Sequence, residues 1–216
     1  MKKTKTFITA IPFQAPNPPI KKPYKGYGNS RLDYDEAHFP IIPAINGYTE
    51  KGDDVRIIII KKDTPIFERN YRECFLEDIN KLKEKKGFAS VKTEFVDVID
   101  SEDIDTQLKL FSDIVDAIKG NEEVSACITF GTKPTPIILS MALNYAYRLK
   151  VNVSIGCVVY GRYDPKETIS NKNGVYDTTA LFYMNEIVNK LAEMKVPNPE
   201  TAIKIMLGIG GEEDND

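Results

Sequence analysis

The sequence predicts an α/β protein with a mostly parallel sheet and helices on both faces, and three observations carry that expectation. Apolar runs of strand length alternate along the chain with segments of helical period. One run, Asp54 to Lys62 (DVRIIIIKK), holds four consecutive isoleucines, the pattern of a strand buried on both faces. Gly87 and Gly120 follow two of the helical segments, where a helix must stop for the chain to re-enter a sheet.

Taken in order, Thr4 to Ile11 (TKTFITAI) reads as a first strand. Pro12 to His38 is rich in Pro, Gly and Tyr, shows no period, and reads as a long loop. Phe39 to Thr49 fits a short helix weakened by Pro43 and Gly47. After the isoleucine strand, Arg69 to Lys86 places Tyr71, Phe75, Ile79 and Leu82 at helical spacing. Val91 to Ile99 alternates as a strand does, and Asp105 to Lys119 returns to helical spacing with Leu108, Phe111, Ile114 and Val115. Val124 to Phe130 is a strand, Pro136 to Leu149 an apolar helix, and Val151 to Tyr160 a further buried strand. Gly161 to Asp177 is polar and loop-like. Thr178 to Met194 is a helix with Leu181, Met184, Ile187 and Leu191 on one face, and Pro199 to Leu207 is a short last helix. The strand and helix order is that of a Rossmann-like sheet with C-terminal helices appended. Such a sheet binds ligands outside the carboxyl ends of its strands, where strand order reverses. Residues 1–195 are expected to form one domain, and residues 196–216 a short helix and an acidic tail.

Composition narrows the function. The chain has 216 residues, 42% hydrophobic and 28% charged, with a net charge of −3. A broad duplex-DNA surface usually carries a basic excess, so no duplex DNA partner is expected. Cys74, Cys127 and Cys157 are far apart and form no CxxC pair; Cys127 and Cys157 fall in apolar runs and read as buried, which fits a reducing, cytoplasmic compartment. No stretch approaches the ~20 apolar residues of a membrane span. With His38 as the single histidine, no His cluster and no metal site are expected. Neither GxxxxGK[ST] nor GxGxxG occurs, and no cofactor is expected.

The segment Ile128 to Ile137 (ITFGTKPTPI) carries the sharpest local signal. It reads as strand, loop and helix start, with Thr135 as N-cap and Pro136 in the first helical position. Gly131 allows close backbone approach, Thr132 offers a hydroxyl, and Lys133 adds a positive charge beside the helix amides. That set suits a phosphate. It equally fits a tight turn with an exposed lysine.

The same unit resembles the GTK unit of the CRISPR-associated Rossmann-fold (CARF) sensor domains of type III CRISPR systems. TFITAI with its Tyr-rich loop, VVYGRYDP, and GVYDTTALFYMNEIVNKLAE resemble further segments of that family in the same order, from about Thr4 to Met194. The resemblance implies a homodimer whose two-fold axis runs through a site for cyclic oligoadenylate, most often the tetramer. It implies ligand contacts from Thr9, Ala10, Phe13, Tyr27 and Arg31 in the first strand and loop. The GTK unit would add Phe130, Gly131, Thr132, Lys133 and Pro134, and the later strand end Tyr160, Gly161 and Arg162. The long loop, with Lys21, Lys22, Lys25 and Arg31, is expected to close over the ligand. The apolar face of the late helix is the expected dimer contact. Some members of the family cleave the ring without metal, the ligand's own 2′-OH attacking phosphorus; here Lys133 would stabilise charge and Thr9 or Thr132 would orient the hydroxyl. Roughly 20 residues follow the last sensor-like helix, too few for an effector domain. The expectation is a stand-alone member, or a chain cut before its effector. The alternative is a generic α/β nucleotide-binding protein unrelated to CRISPR.

Overall fold

The computed structural model describes residues 2–98, 101, 103–163 and 173–207. The acidic tail, Asp164 and Ile99 lie outside them. The chain folds as two compact units, Met1–Thr179 and Ala180–Asp216.

The first unit is built on a seven-stranded sheet. Its strands are β1 (Thr4–Ala10), β3 (Gly26–Tyr27), β5 (Asp54–Lys61), β6 (Ser90–Asp97), β7 (Glu122–Cys127), β8 (Ser154–Arg162) and β9 (Gly174–Asp177), in the order β3-β9-β8-β7-β1-β5-β6. Strands β8, β7, β1, β5 and β6 run parallel, and β9 is antiparallel to β8. The Rossmann-like α/β expectation holds. From β1 the chain steps outward to β5 and β6, then crosses back to β7 and β8. Strand order therefore reverses between β1 and β7, which are hydrogen-bonded neighbours with Thr9 opposite Cys127.

The crossovers put α1 (Ile41–Tyr48) and α3 (Leu76–Lys86) on one face of the sheet, and α4 (Ile104–Ala117) and α5 (Thr135–Leu149), packed together, on the other. The isoleucine run shows why both faces need cover. Ile57 and Ile59 join Phe7, Phe39 and Phe75 in one core cluster, while Ile58 and Ile60 are equally buried on the opposite side. The helical stretch before β6 begins earlier than its spacing suggests. Thr64 caps α2 (Pro65–Arg69), accepting from the Phe67 amide at 3.1 Å, and a π-helical stretch, Asn70–Phe75, joins α2 to α3.

The span expected as a loop between Pro12 and His38 contains structure. It holds β2 (Lys22–Tyr24), β3, a 3-10 turn (Ser30–Leu32) and β4 (Tyr34–Ala37), with β2 and β4 paired antiparallel. Tyr24, Leu32, Tyr34 and Ala37 are buried. These strands are two to four residues long, too short to leave a period. Similarly, β8 extends to Arg162 and β9 occupies Gly174–Asp177, within a stretch expected to be loop.

The second unit contains most of α6 (Thr179–Glu193) and α7 (Pro199–Leu207). On α6, Leu191 is buried, Met184 and Ile187 are half-buried and Leu181 is exposed. Among the described residues no helix is long and apolar enough to cross a membrane.

Candidate functional site

Residues at and just beyond the carboxyl ends of β1, β7 and β8 wall three cavities, two of them shared with Lys22 and Tyr24 of β2. The loop between β7 and α5 is the centre of this edge. Gly131 has φ +121°, and a Cβ there would lie 2.7 Å from Thr135. Only glycine fits such a turn without strain. The helix begins at Thr135, one residue before the expected start, with Pro134 in the cap position and no side-chain cap. Instead the Thr135 hydroxyl points back into the loop. Its oxygen accepts from the Thr132 amide at 3.0 Å and lies 3.0 Å from the Thr132 hydroxyl.

This changes which amides can meet an anion. Pro134 and Pro136 have none, and those of Thr135 and Ile137 donate to Thr132 and Pro134 carbonyls, each at 3.0 Å. The helix start, expected to supply the anion donors, is therefore used up internally. The amides of Phe130, Gly131 and Lys133 have no partner among the described residues, and neither has the exposed Lys133 ammonium. The donors belong to the loop.

Thr129 fastens the loop to the neighbouring strand. Its hydroxyl accepts from the Gly161 amide at 2.7 Å and sits 3.0 Å from the Cys127 sulfur. Gly161 has no room for a side chain, because a Cβ there would meet the Pro40 ring at 2.5 Å. Thr129 and Phe130 form a ridge with a cavity on each side. One, of about 220 Å³, is walled by Pro12, Phe13, Ala15 and Gly131. The other, of about 310 Å³, is walled by Lys22, Tyr24, Pro40, Tyr160, Gly161 and Arg162, with Tyr163. A third, of about 290 Å³, shares Lys22, Tyr24, Arg162 and Tyr163 with the second and extends past Lys25 to Gly174. Cavities of this size suit parts of a small ligand.

Several residues implied by the resemblance are here together: Phe13, Phe130, Gly131, Tyr160, Gly161 and Arg162 wall the cavities. Thr132, Lys133 and Pro134 follow Gly131 in the same loop and wall none of the three cavities. Thr9 and Ala10 lie beneath, both 2% exposed, and the Thr9 hydroxyl donates to the Ala10 carbonyl at 3.1 Å. Tyr27 and Arg31 wall none of the three cavities. Tyr27 stacks on Tyr176 with ring centroids 4.6 Å apart. Arg31 lies over the Tyr48 ring at 4.4 Å and donates to the Gly47 carbonyl at 3.2 Å.

Sequence reasoning missed Thr129, Pro40 and Tyr163, and placed Lys22 only in a lid. The Lys22 ammonium sits 3.9 Å from the Tyr163 ring centroid and 5.6 Å from that of Tyr24. Burial lowers its pKa. Burial also holds the Tyr24 phenol far above its ordinary range, and its hydroxyl donates to the His38 carbonyl at 3.3 Å. His38 itself is a structural residue. Asp78 on α3 accepts from its backbone amide at 2.8 Å and lies 3.0 Å from its ring Nδ1. Burial raises the Asp78 pKa, against the pull of His38. Among the described residues no three His, Cys, Asp or Glu side chains gather as a metal site would require.

Fold and edge together define a Rossmann-like α/β protein with a groove at the switch point of a mostly parallel sheet. Compared with known proteins, the sequence matches no family model and no curated protein.

Proposed function

We propose that this protein binds a cyclic oligoadenylate, the class of second messenger used in type III CRISPR defence, across the cavities at the carboxyl ends of β1, β7 and β8. One observation carries the reading. The Phe130–Lys133 loop carries three amides and an ammonium with no partner among the described residues, and its Phe130 lines both the cavity walled by Phe13 and the cavity walled by Tyr160. Amides and ammonium suit phosphate oxygens, and aromatic walls suit adenine faces. The resemblance of the GTK unit supplies the choice of ligand.

A second copy of the chain belongs to this reading, because a two-fold pair presents one patch twice to a symmetric ring. The surface that favours it is on α4 and α5. Ile104, Leu108, Ile137, Met141, Leu149 and Val151 are each more than half exposed.

The geometry favours binding over cleavage. The Thr9 hydroxyl is buried and engaged, and that of Thr132 faces Thr135. Both readings are tested by incubating the protein with labelled cyclic tetra-adenylate, with and without EDTA, and resolving the products by chromatography. Binding without turnover is the expected result. Products ending in a 2′,3′-cyclic phosphate in EDTA would add metal-independent cleavage. If AMP or linear oligoadenylate binds as tightly as the ring, the protein is a general nucleotide binder and the proposal fails.

A further inference from the structure

We infer that the cleft between β2 and the end of β8 holds a second anionic group of the ligand, met by Lys22 against the flat wall of Tyr163. The inference rests on the proposed groove and says more about what fills it. The ligand carries at least two anionic groups, one on each side of the Thr129–Phe130 ridge, as a nucleotide with several phosphates does and a nucleoside monophosphate does not.

The argument starts from how this chain treats half-buried lysines. Lys5 pairs with Glu123 at 2.8 Å and Lys21 pairs with Glu77. Lys86 donates to the Thr49 carbonyl at 2.9 Å, and Lys150 to two carbonyls of the α4 end. Each has an oxygen to replace lost water. Lys22 is as buried and has no carboxylate or carbonyl among the described residues; it has only ring faces. A ring face offsets part of the desolvation of an ammonium, and an anion offsets more.

The walls point the same way. The described residues around the second and third cavities include Lys22, Lys25 and Arg162 and no Asp or Glu. In a chain with 32 acidic residues against 29 basic ones, a cleft whose described lining holds basic side chains and no carboxylate favours an anion over a cation. Lys25 reaches Asp33 at 3.3 Å, outside the cleft lining. Burial lowers the Lys22 pKa, and an anion beside it would act the opposite way by favouring the charged ammonium. Tyr163 is 46% exposed and Tyr160 43%, so flat apolar surface remains free beside the charge.

The opposing account is that Lys22 is a cation–π latch holding β2 over Tyr163. Two measurements separate them. Lys22→Met keeps the stem and removes the charge, and its affinity for cyclic tetra-adenylate is compared with those of Lys133→Ala and the double variant. Each single change is expected to weaken binding about tenfold, and the double change about a hundredfold, because contacts to separate groups add. A double variant no weaker than the worse single one means that both lysines meet one phosphate, which overturns the inference. So does a Lys22→Met protein that melts lower yet binds like the wild type. The second measurement needs no adenylate. Lysines are ¹³C-methylated, Lys22 is assigned by its loss in Lys22→Arg, and inorganic pyrophosphate is titrated while the NMR signal is followed. A saturable shift of the Lys22 signal supports the anion site even if the wild type binds no adenylate, a result that would sink the proposed function alone. A signal unmoved by pyrophosphate overturns the inference.

Discussion

Lys133 is the exposed cation of the β7–α5 loop, with no partner among the described residues. A charge-assisted contact from it to phosphate is worth roughly 1.5–3 kcal/mol, so Lys133→Ala should weaken cyclic tetra-adenylate binding about tenfold or more. Calorimetric titration checks this, and an unchanged affinity removes the loop from the site. The cysteines make a prediction of another kind. Cys127 and Cys157 are 1% and 0% exposed, and burial pushes the Cys157 thiol up to about 12 from 9.0. Between those two values the unfolded chain has lost the proton and the folded chain has kept it. Stability from this thiol is therefore intact below pH ~9 and falls as pH rises toward ~12, by up to about 1.4 kcal/mol per unit. The urea midpoint should decline above pH ~9 in the wild type and less steeply in Cys157→Ala. Equal slopes in the two proteins would show that Cys157 does not titrate in this way.

At the scale of elements, the turn that starts α5 is held by fit rather than by a cap. Gly131 and Gly52 both have positive φ, +121° and +77°, but a Cβ at Gly52 would meet nothing within 4 Å while one at Gly131 would strike Thr135. Both alanine variants carry backbone strain, and Gly131→Ala adds overpacking worth about 1–3 kcal/mol. Its melting temperature should fall clearly below that of Gly52→Ala; equal values would mean that Thr135 yields freely. The long strands and helices were legible because burial repeats along them: Ile57 to Ile60 alternate between two covered faces. The hairpin was not legible, because β2 and β4 are three and four residues long and β3 finds its partner in β9, some 150 residues later. The site was legible only where one loop holds it. Gly131 and Lys133 stand out in sequence, whereas Thr129 matters through its bond to Gly161, 32 residues away. Lys22 matters because Tyr163 comes to lie under it. The expectation of helix amides as anion donors failed at two prolines and one threonine. The prolines remove donors, and the Thr135 hydroxyl turns back to Thr132.

For the whole molecule the open question is what covers α4 and α5. Along α5, Ile137, Met141, Tyr145 and Leu149 recur every fourth residue and form a stripe over its full length. Tyr145 meets Phe111 of α4 edge-on at 6.1 Å, and Leu108 and Ile104 lie further toward the α4 start. Leaving aside Phe111, the seven exposed side chains including Val151, at roughly 100 Å² each, give about 700 Å² per protomer, above the ~300–600 Å² of the largest patch on a typical monomer. A two-fold pair would bury about 1,400 Å², within the range of stable specific interfaces. The stripe begins one turn from the Phe130–Lys133 loop, so two α5 helices meeting near their starts would bring two such loops side by side. The protein should therefore run in light scattering near twice its 24.4 kDa at micromolar concentration. Met141→Glu with Leu149→Glu should give a monomer that binds cyclic tetra-adenylate weakly. Leu181→Glu, on the exposed side of α6, should leave both dimer and binding intact. A wild-type monomer with and without ligand would end the shared-site model. A dimer broken by Leu181→Glu and untouched by the α5 changes would move the interface to α6.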